Sequence, residues 1–158
     1  MNTEDVKEFI KSKELPIEIK VFEGESTRTS ELAANALGCT VAEIAKSIAF
    51  NCVVNGERRP VVVVISGDKK VDIEKLRKKL NASAVEIMKP EEVKQETGYQ
   101  IGGVPPFPHR NGVAVVLDKS LLKFSMIWAA AGAPNAIMAM KPSVLSNLLR
   151  IEVADLAK

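Results

Sequence analysis

Apolar residues in the first stretch recur on one helical face. Val6, Phe9 and Ile10 predict a helix over residues 3–13, with Thr3 as its cap and Glu4 and Asp5 in its first turn. The pattern then changes to period two. In "PIEIKVF", Ile17, Ile19 and Val21 alternate with polar residues, as in a half-buried strand. Thr29 or Ser30 caps a helix over "ELAANALG", which Gly38 stops. "TVAEIAKSIAF" opens on a T-x-x-E capping box, Thr40 and Glu43, and its Val41, Ile44, Ala45 and Ile48 predict a further helix carrying Lys46. "CVVNGERRPVVVVI" predicts a hairpin turning at Asn55-Gly56, its unbroken valines implying a strand covered on both faces. Asp72 caps a helix to Leu80, a strand follows at residues 84–88, and Pro90 opens a helix that Gly98 ends. "VAVVLD", "SMIWAAA" and "NAIMAM" predict three more strands, with "GAPN" turning between the last two, and Pro142 opens a final helix, "PSVLSNLL". The order predicts a mixed α+β fold, a mixed sheet flanked by helices.

Length and composition narrow the class. At 158 residues with no linker, repeat or low-complexity stretch, one domain spanning 1–158 is expected. Hydrophobic residues at 46% and charged ones at 27% exclude a wholly disordered chain. A net charge of +2 neither marks a nucleic-acid coat protein nor repels a polyanion. Aromatics at 4% argue against single-strand binding by base stacking. Cys39 and Cys52, with no C-x-x-C, fit a reducing compartment, and "MNTEDVKEF" has no apolar signal region. The longest apolar runs are strand-sized, so a cytoplasmic location away from membranes is expected.

Candidate chemistry is concentrated in two places. Lys46 lies near the edge of an apolar face. It is either a surface lysine whose stem covers apolar neighbours, or an ammonium at the lip of a pocket facing a phosphate or carboxylate. "YQIGGVPPFPHR" holds two glycines, three prolines and the only histidine. It is either a structural turn or rigid backbone, in which Gly102 and Gly103 admit a ligand to main-chain N–H groups and Pro105 and Pro106 prevent collapse. His109 is either a general base or a hydrogen-bonded structural residue. "AAAGAPN", residues 129–135, is a strand and turn whose small side chains are suited to flooring a pocket. The basic runs at 69–70 and 77–79 read as solvated faces, with weak attraction to a phosphate backbone as the lesser alternative. Neither a metal-ligand constellation nor a nucleotide-binding glycine motif is present, and no motif supports a Ser–His–Asp triad, so no cofactor or metal is expected.

In this order and spacing, "TVAEIAKSIAF", "VVVVISGDKKVDIEKL", "GYQIGGVPPF" and "AGAPNAIMAMKPSVL" resemble the YbaK/ProX family of aminoacyl-tRNA deacylases, relatives of the editing insertion domain of bacterial prolyl-tRNA synthetase. The resemblance implies a YbaK-like mixed, largely antiparallel sheet or partial barrel. It also implies trans-editing: hydrolysis of the ester joining a wrong, small amino acid to the acceptor end of a tRNA, possible substrates including tRNA-Pro. Partners would be that tRNA and an aminoacyl-tRNA synthetase. Lys46 falls where the family has its functional lysine, and Gly102 to Pro106 fits the family's G-x-x-x-P loop. Lys46 would hold the adenosine or its phosphate, and the backbone around Gly102 the reacting oxygen. Gly103, Val104, Pro105 and Pro106 would complete the loop, Ser47 would shape the pocket, and Gly132 would lie in the matching strand-turn region. Two departures stand out. Phe22 lies near a pocket tyrosine of some relatives. Where some branches place a serine or histidine on the late strand, this chain has "AAAGAPN", leaving Asn135 or His109 to compensate. A noncatalytic module binding an aminoacyl-adenosine or nucleotide is the competing expectation.

Overall fold

Among the described residues eight strands form one sheet, and its centre is the long hairpin. β2 (Ile44–Val54) pairs antiparallel with β3 (Glu57–Ser66) through ten residue pairs, turning at Asn55 and Gly56, both with positive φ. The structure, a computed structural model, describes residues 1–24 and 26–158. Short 3-10 and π turns aside, the other described elements are α1 (Thr3–Ser12), β1 (Glu18–Val21), α2 (Ser30–Leu37), α3 (Ile73–Leu80), β4 (Ala84–Ile87), α4 (Pro90–Thr97), β5 (Ala114–Asp118), β6 (Ile127–Ala130), β7 (Ala136–Met140) and β8 (Glu152–Ala154). Strand order is β1-β7-β6-β2-β3-β5-β8, with β4 also paired to β2. The pairings β1–β7, β6–β7, β2–β3 and β2–β4 are antiparallel, whereas β2–β6, β3–β5 and β5–β8 are parallel. The sheet is therefore mixed and largely antiparallel, as expected.

β3 explains its own valine run. Val62 and Val64 enter the larger core with Val6, Leu117 and Met138, while Val61, Val63 and Ile65 enter a second core on the other face with Phe50 and Leu76. A strand covered on both sides has no polar face to alternate with.

The predicted helix over "TVAEIAKSIAF" is not formed. Thr40 and Glu43 do make the reciprocal box, with the Thr40 N–H and Oγ1 donating to Glu43 Oε1 at 3.0 and 2.8 Å, but it closes a single 3-10 turn over Val41–Glu43. From Ile44 the chain is strand. Ala45 and Ala49 face the larger core, Phe50 and Cys52 the second, so burial on both faces produces spacing that imitates a helix. Ten pairings to β3 outweigh the modest helix preference of Ala, Glu and Lys. Two smaller corrections follow. Asn2 rather than Thr3 caps α1, its side chain accepting from Glu4 N–H, and the last predicted helix is mostly a π-helical turn over Val144–Leu148. β8 has no counterpart among the predicted strands.

Candidate active site

β2 is bordered by β3 along one edge, whereas its other edge is shared. Along β2, the β6 pairing covers Ile44 and Ala45, and the β4 pairing begins at Phe50. Between them the strand borders a cleft of about 210 Å³. Lys46, Ser47, Gly102 and Val104 line it together, with Thr29 and Ser30 from the start of α2 at the rim. Ala33, Ile44, Ala45, Ala130 and Ile137 supply small or aliphatic walls. The neighbouring helix and strand thus meet a glycine loop that lies far from them in sequence.

Lys46 is half-buried, and its Nζ donates to the carbonyl of Gly67 at 3.3 Å. Burial pushes its pKa below the usual lysine range; Glu31 and Asp68 oppose that shift and Lys70 adds to it. Gly67 is tightly placed, since a Cβ there would collide with the carbonyl oxygen of Val41. Ser47 Oγ is buried and has no hydrogen-bond partner among the described residues. At the rim, Thr29 Oγ1 accepts from the Leu32 N–H and caps α2. The preceding loop is held by Thr27, whose hydroxyl donates to the carbonyl of Pro134 at 2.9 Å.

The glycine loop is shaped by close approach. Gly102 has φ +86°, and a Cβ there would lie 2.8 Å from Cγ of Arg28. Gly103 presses on the β6–β7 turn, where a Cβ would meet the Ala133 backbone at 2.9 Å. Its carbonyl accepts from the Gly132 N–H at 3.0 Å. Gly132, at φ +96°, packs against the backbone of Asn2 and Thr3. Gly103 and Gly132 therefore hold the loop against the turn rather than line the cleft.

The other candidates lie outside the lining. Pro105 and Pro106 are buried. His109 Nε2 is 2.7 Å from the carbonyl oxygen of Pro105, its ring edge-on to Tyr99, and with Pro106 it borders a separate hollow beside Phe9. Burial lowers its pKa, opposed by the bond to Pro105. Asn135 and Phe22 bind each other: the Asn135 Nδ2 donates to the Phe22 carbonyl at 2.9 Å, and the Phe22 N–H to the Asn135 carbonyl at 2.7 Å. Phe22 packs on the cluster of Ala33, Ile44 and Ile137, supporting the cleft wall from behind.

As His109 is the only histidine, the cleft contains no imidazole, and among the described residues its lining has no carboxylate. Neither cysteine is poised as a nucleophile: burial raises both thiol pKa values, Cys52 to about 11. What the cleft offers is the cations of Lys46 and Arg28, hydroxyls, and main-chain groups fixed by close packing. Such groups orient a substrate and stabilise developing negative charge. Sequence reasoning missed Arg28, Ala33 and Ile137. Thr29 and Ser30 were visible only as a helix cap.

Residues 24–148 match the family described as the aminoacyl-tRNA editing domain. The chain is 36% identical to the uncharacterized protein YwhH of Bacillus subtilis (strain 168), covering 77% of this chain and 75% of that one. It is 26% identical to the multifunctional Ser/Thr-tRNA deacylase ProXp-y of Escherichia coli (strain K12), covering 84% and 76%. Among solved structures, the crystal structure of hypothetical protein APE2540 superposes with a TM-score of 0.89 at 29% identity, covering 97% and 99%. With the lysine strand and glycine loop meeting at one cleft and the match spanning most of the chain, this protein belongs to the aminoacyl-tRNA editing domain family.

Proposed function

We propose that this protein is a trans-acting deacylase that hydrolyses the ester between a small amino acid and the 3′-terminal ribose of a mischarged tRNA. The observation that carries the reading is the convergence of Lys46 and Gly102 on one cleft in a chain of the editing-domain family. ProXp-y, a deacylase by name, is matched over three quarters of its own length. In this reading residues 1–158 act as one unit, since Val6 near the start and Leu156 near the end are both fully buried. The tRNA acceptor end is the partner. The likeness to the prolyl-tRNA synthetase insertion makes that synthetase, with tRNA-Pro, the first partner to add to an assay.

The reaction needs little from side chains. An aminoacyl ester is already activated, and the hydroxyl beside it on the ribose can pass a proton. Water oxygen bonds to the carbonyl carbon and the bond from that carbon to the ribose oxygen breaks. The proton lost by the water ends on the ribose oxygen, releasing amino acid and a free tRNA end. The Lys46 ammonium holds the ribose or its phosphate, and the main chain around Gly102 faces the oxygen that gains charge. Ala33, Ala45 and Ala130 leave room for a small acyl side chain.

A panel of separately mischarged tRNAs, incubated with wild type and Lys46→Ala, tests this. At least one small aminoacyl ester should be hydrolysed by wild type. Loss of one charge-assisted contact, about 1.5–3 kcal/mol, should slow Lys46→Ala roughly 10- to 100-fold with its circular dichroism unchanged. Saturable binding of the same tRNAs without hydrolysis by wild type would instead establish a noncatalytic binding module.

A further inference from the structure

β1 ends the sheet on its side, paired along one edge only, to β7. The Phe22 N–H donates to the Asn135 carbonyl just before β7, which fixes the main-chain groups that turn inward. Alternation then directs the N–H and C=O of Glu18 and Lys20 toward β7, and those of Ile19 and Val21 outward. Among the described residues these outward groups have no partner. Val21 is 62% exposed, so the free edge is open to solvent.

The side chains alternate between the two faces of the sheet. Glu18 and Lys20 border a hollow at Trp128 on one face. Ile17 and Ile19 line another on the opposite face, about 280 Å³, together with Lys7, Ile10 and Lys11 of α1. By the same alternation Val21 lies on the isoleucine face. Glu18 and Lys20 are exposed, and among the described residues neither is held in an ion pair. An edge lysine by itself discourages pairing with another chain. With a glutamate two residues before it on the same face, it selects a register instead.

We propose that β1 pairs antiparallel with β1 of a second copy of this chain, about a two-fold axis passing at Ile19. The registers open to such a pairing differ in what meets on the axis. Centring on Glu18 or on Lys20 sets like charges directly opposite each other, which is destabilising. A register centred on Ile17 or Val21 runs off the end of the strand. Centring on Ile19 places Glu18 of each copy opposite Lys20 of the other, and the two-fold symmetry repeats that favourable pair. The same register sets Val21 opposite Ile17 of the second copy, laying an exposed valine against the hollow beside α1. Across the axis each Ile19 N–H donates to the other Ile19 carbonyl, and each Val21 N–H donates to the Ile17 carbonyl. Lys20 is paired on its inner side with Ile137, a wall of the cleft, so the joint extends the sheet from the strand next to the site. The pairing needs nothing from the deacylase reading.

The test is sedimentation equilibrium of the full chain over about a hundredfold range of concentration, joined to amide hydrogen exchange at both ends of that range. The expected result is reversible dimerisation, with the Ile19 and Val21 amides exchanging more slowly at the high concentration. Lys20→Glu should raise the dimer Kd about tenfold, because like charges then replace the favourable pairs. Adding Glu18→Lys to Lys20→Glu restores opposite charges across the axis and should return the Kd to near its wild-type value. Glu18 and Lys20 are exposed, so both variants should keep the wild-type circular dichroism spectrum. A chain that stays monomeric up to about 1 mM would overturn the proposal and leave the edge to a strand of some other protein. A dimer indifferent to Lys20→Glu, one that the double variant fails to restore, or protection confined to amides away from β1 would overturn it as well.

Discussion

A methyl group at Gly102 meets two obstacles: a backbone at φ +86° and Cγ of Arg28 at 2.8 Å. Gly56 has a similar φ, +76°, but open space around its Cα. The pair separates backbone strain from site geometry. Gly56→Ala and Gly102→Ala should each lose about 1 kcal/mol or more of stability from strain, read in thermal melts. Only Gly102→Ala should also lose deacylation, at least tenfold in kcat/KM, because relief of the contact moves the loop or Arg28 at the cleft. Equal activity in the two variants would mean that the Gly102 backbone is not part of the site. Single residues were only partly legible in the sequence. Lys46 and Gly102 stood out from their neighbours with a structural reading open at each, and the resemblance gave them roles. His109, attractive as a lone histidine in a stiff loop, instead bonds the Pro105 carbonyl, a contact that sequence spacing does not reveal.

Helix α2 brings its first turn to the rim of the cleft through Thr29 and Ser30. Thr29→Ala removes the acceptor for the Leu32 N–H and should cost about 1 kcal/mol, measured by chemical denaturation. It should also raise KM for the aminoacyl-tRNA, and Thr29→Ser, which keeps the hydroxyl, should restore both. Elements with punctuation were legible: Thr29 and Gly38 around α2, Asp72 before α3, Pro90 and Gly98 around α4, and Asn55-Gly56 in the hairpin. The β2 segment was not. Its capping box is real but closes one turn, and burial of both faces removed the period-two signal that would have identified a strand. The site suffers the same loss of legibility, since the gap between β6 and β4 exists only once the strands are paired.

At the scale of the molecule, the loop that builds the cleft also ties stability to pH through His109. Burial lowers its pKa, so the native fold favours the neutral ring, whereas the unfolded chain protonates near the usual value of about 6.5. Stability from the neutral ring is complete above that value and is lost as pH falls through the lower folded one. Melting temperature should therefore decline from pH 7 to pH 5, and His109→Gln should flatten that decline. Glu43, Glu74, Glu92 and Asp155, whose pKa values are lowered by hydrogen bonds, titrate below this window. The wider claim is that two distant segments form one reacting centre. Single-turnover deacylation by Lys46→Ala, Gly102→Ala and the double variant measures that coupling directly. The account predicts that the double variant is scarcely slower than the worse single one; losses that simply multiply would contradict it.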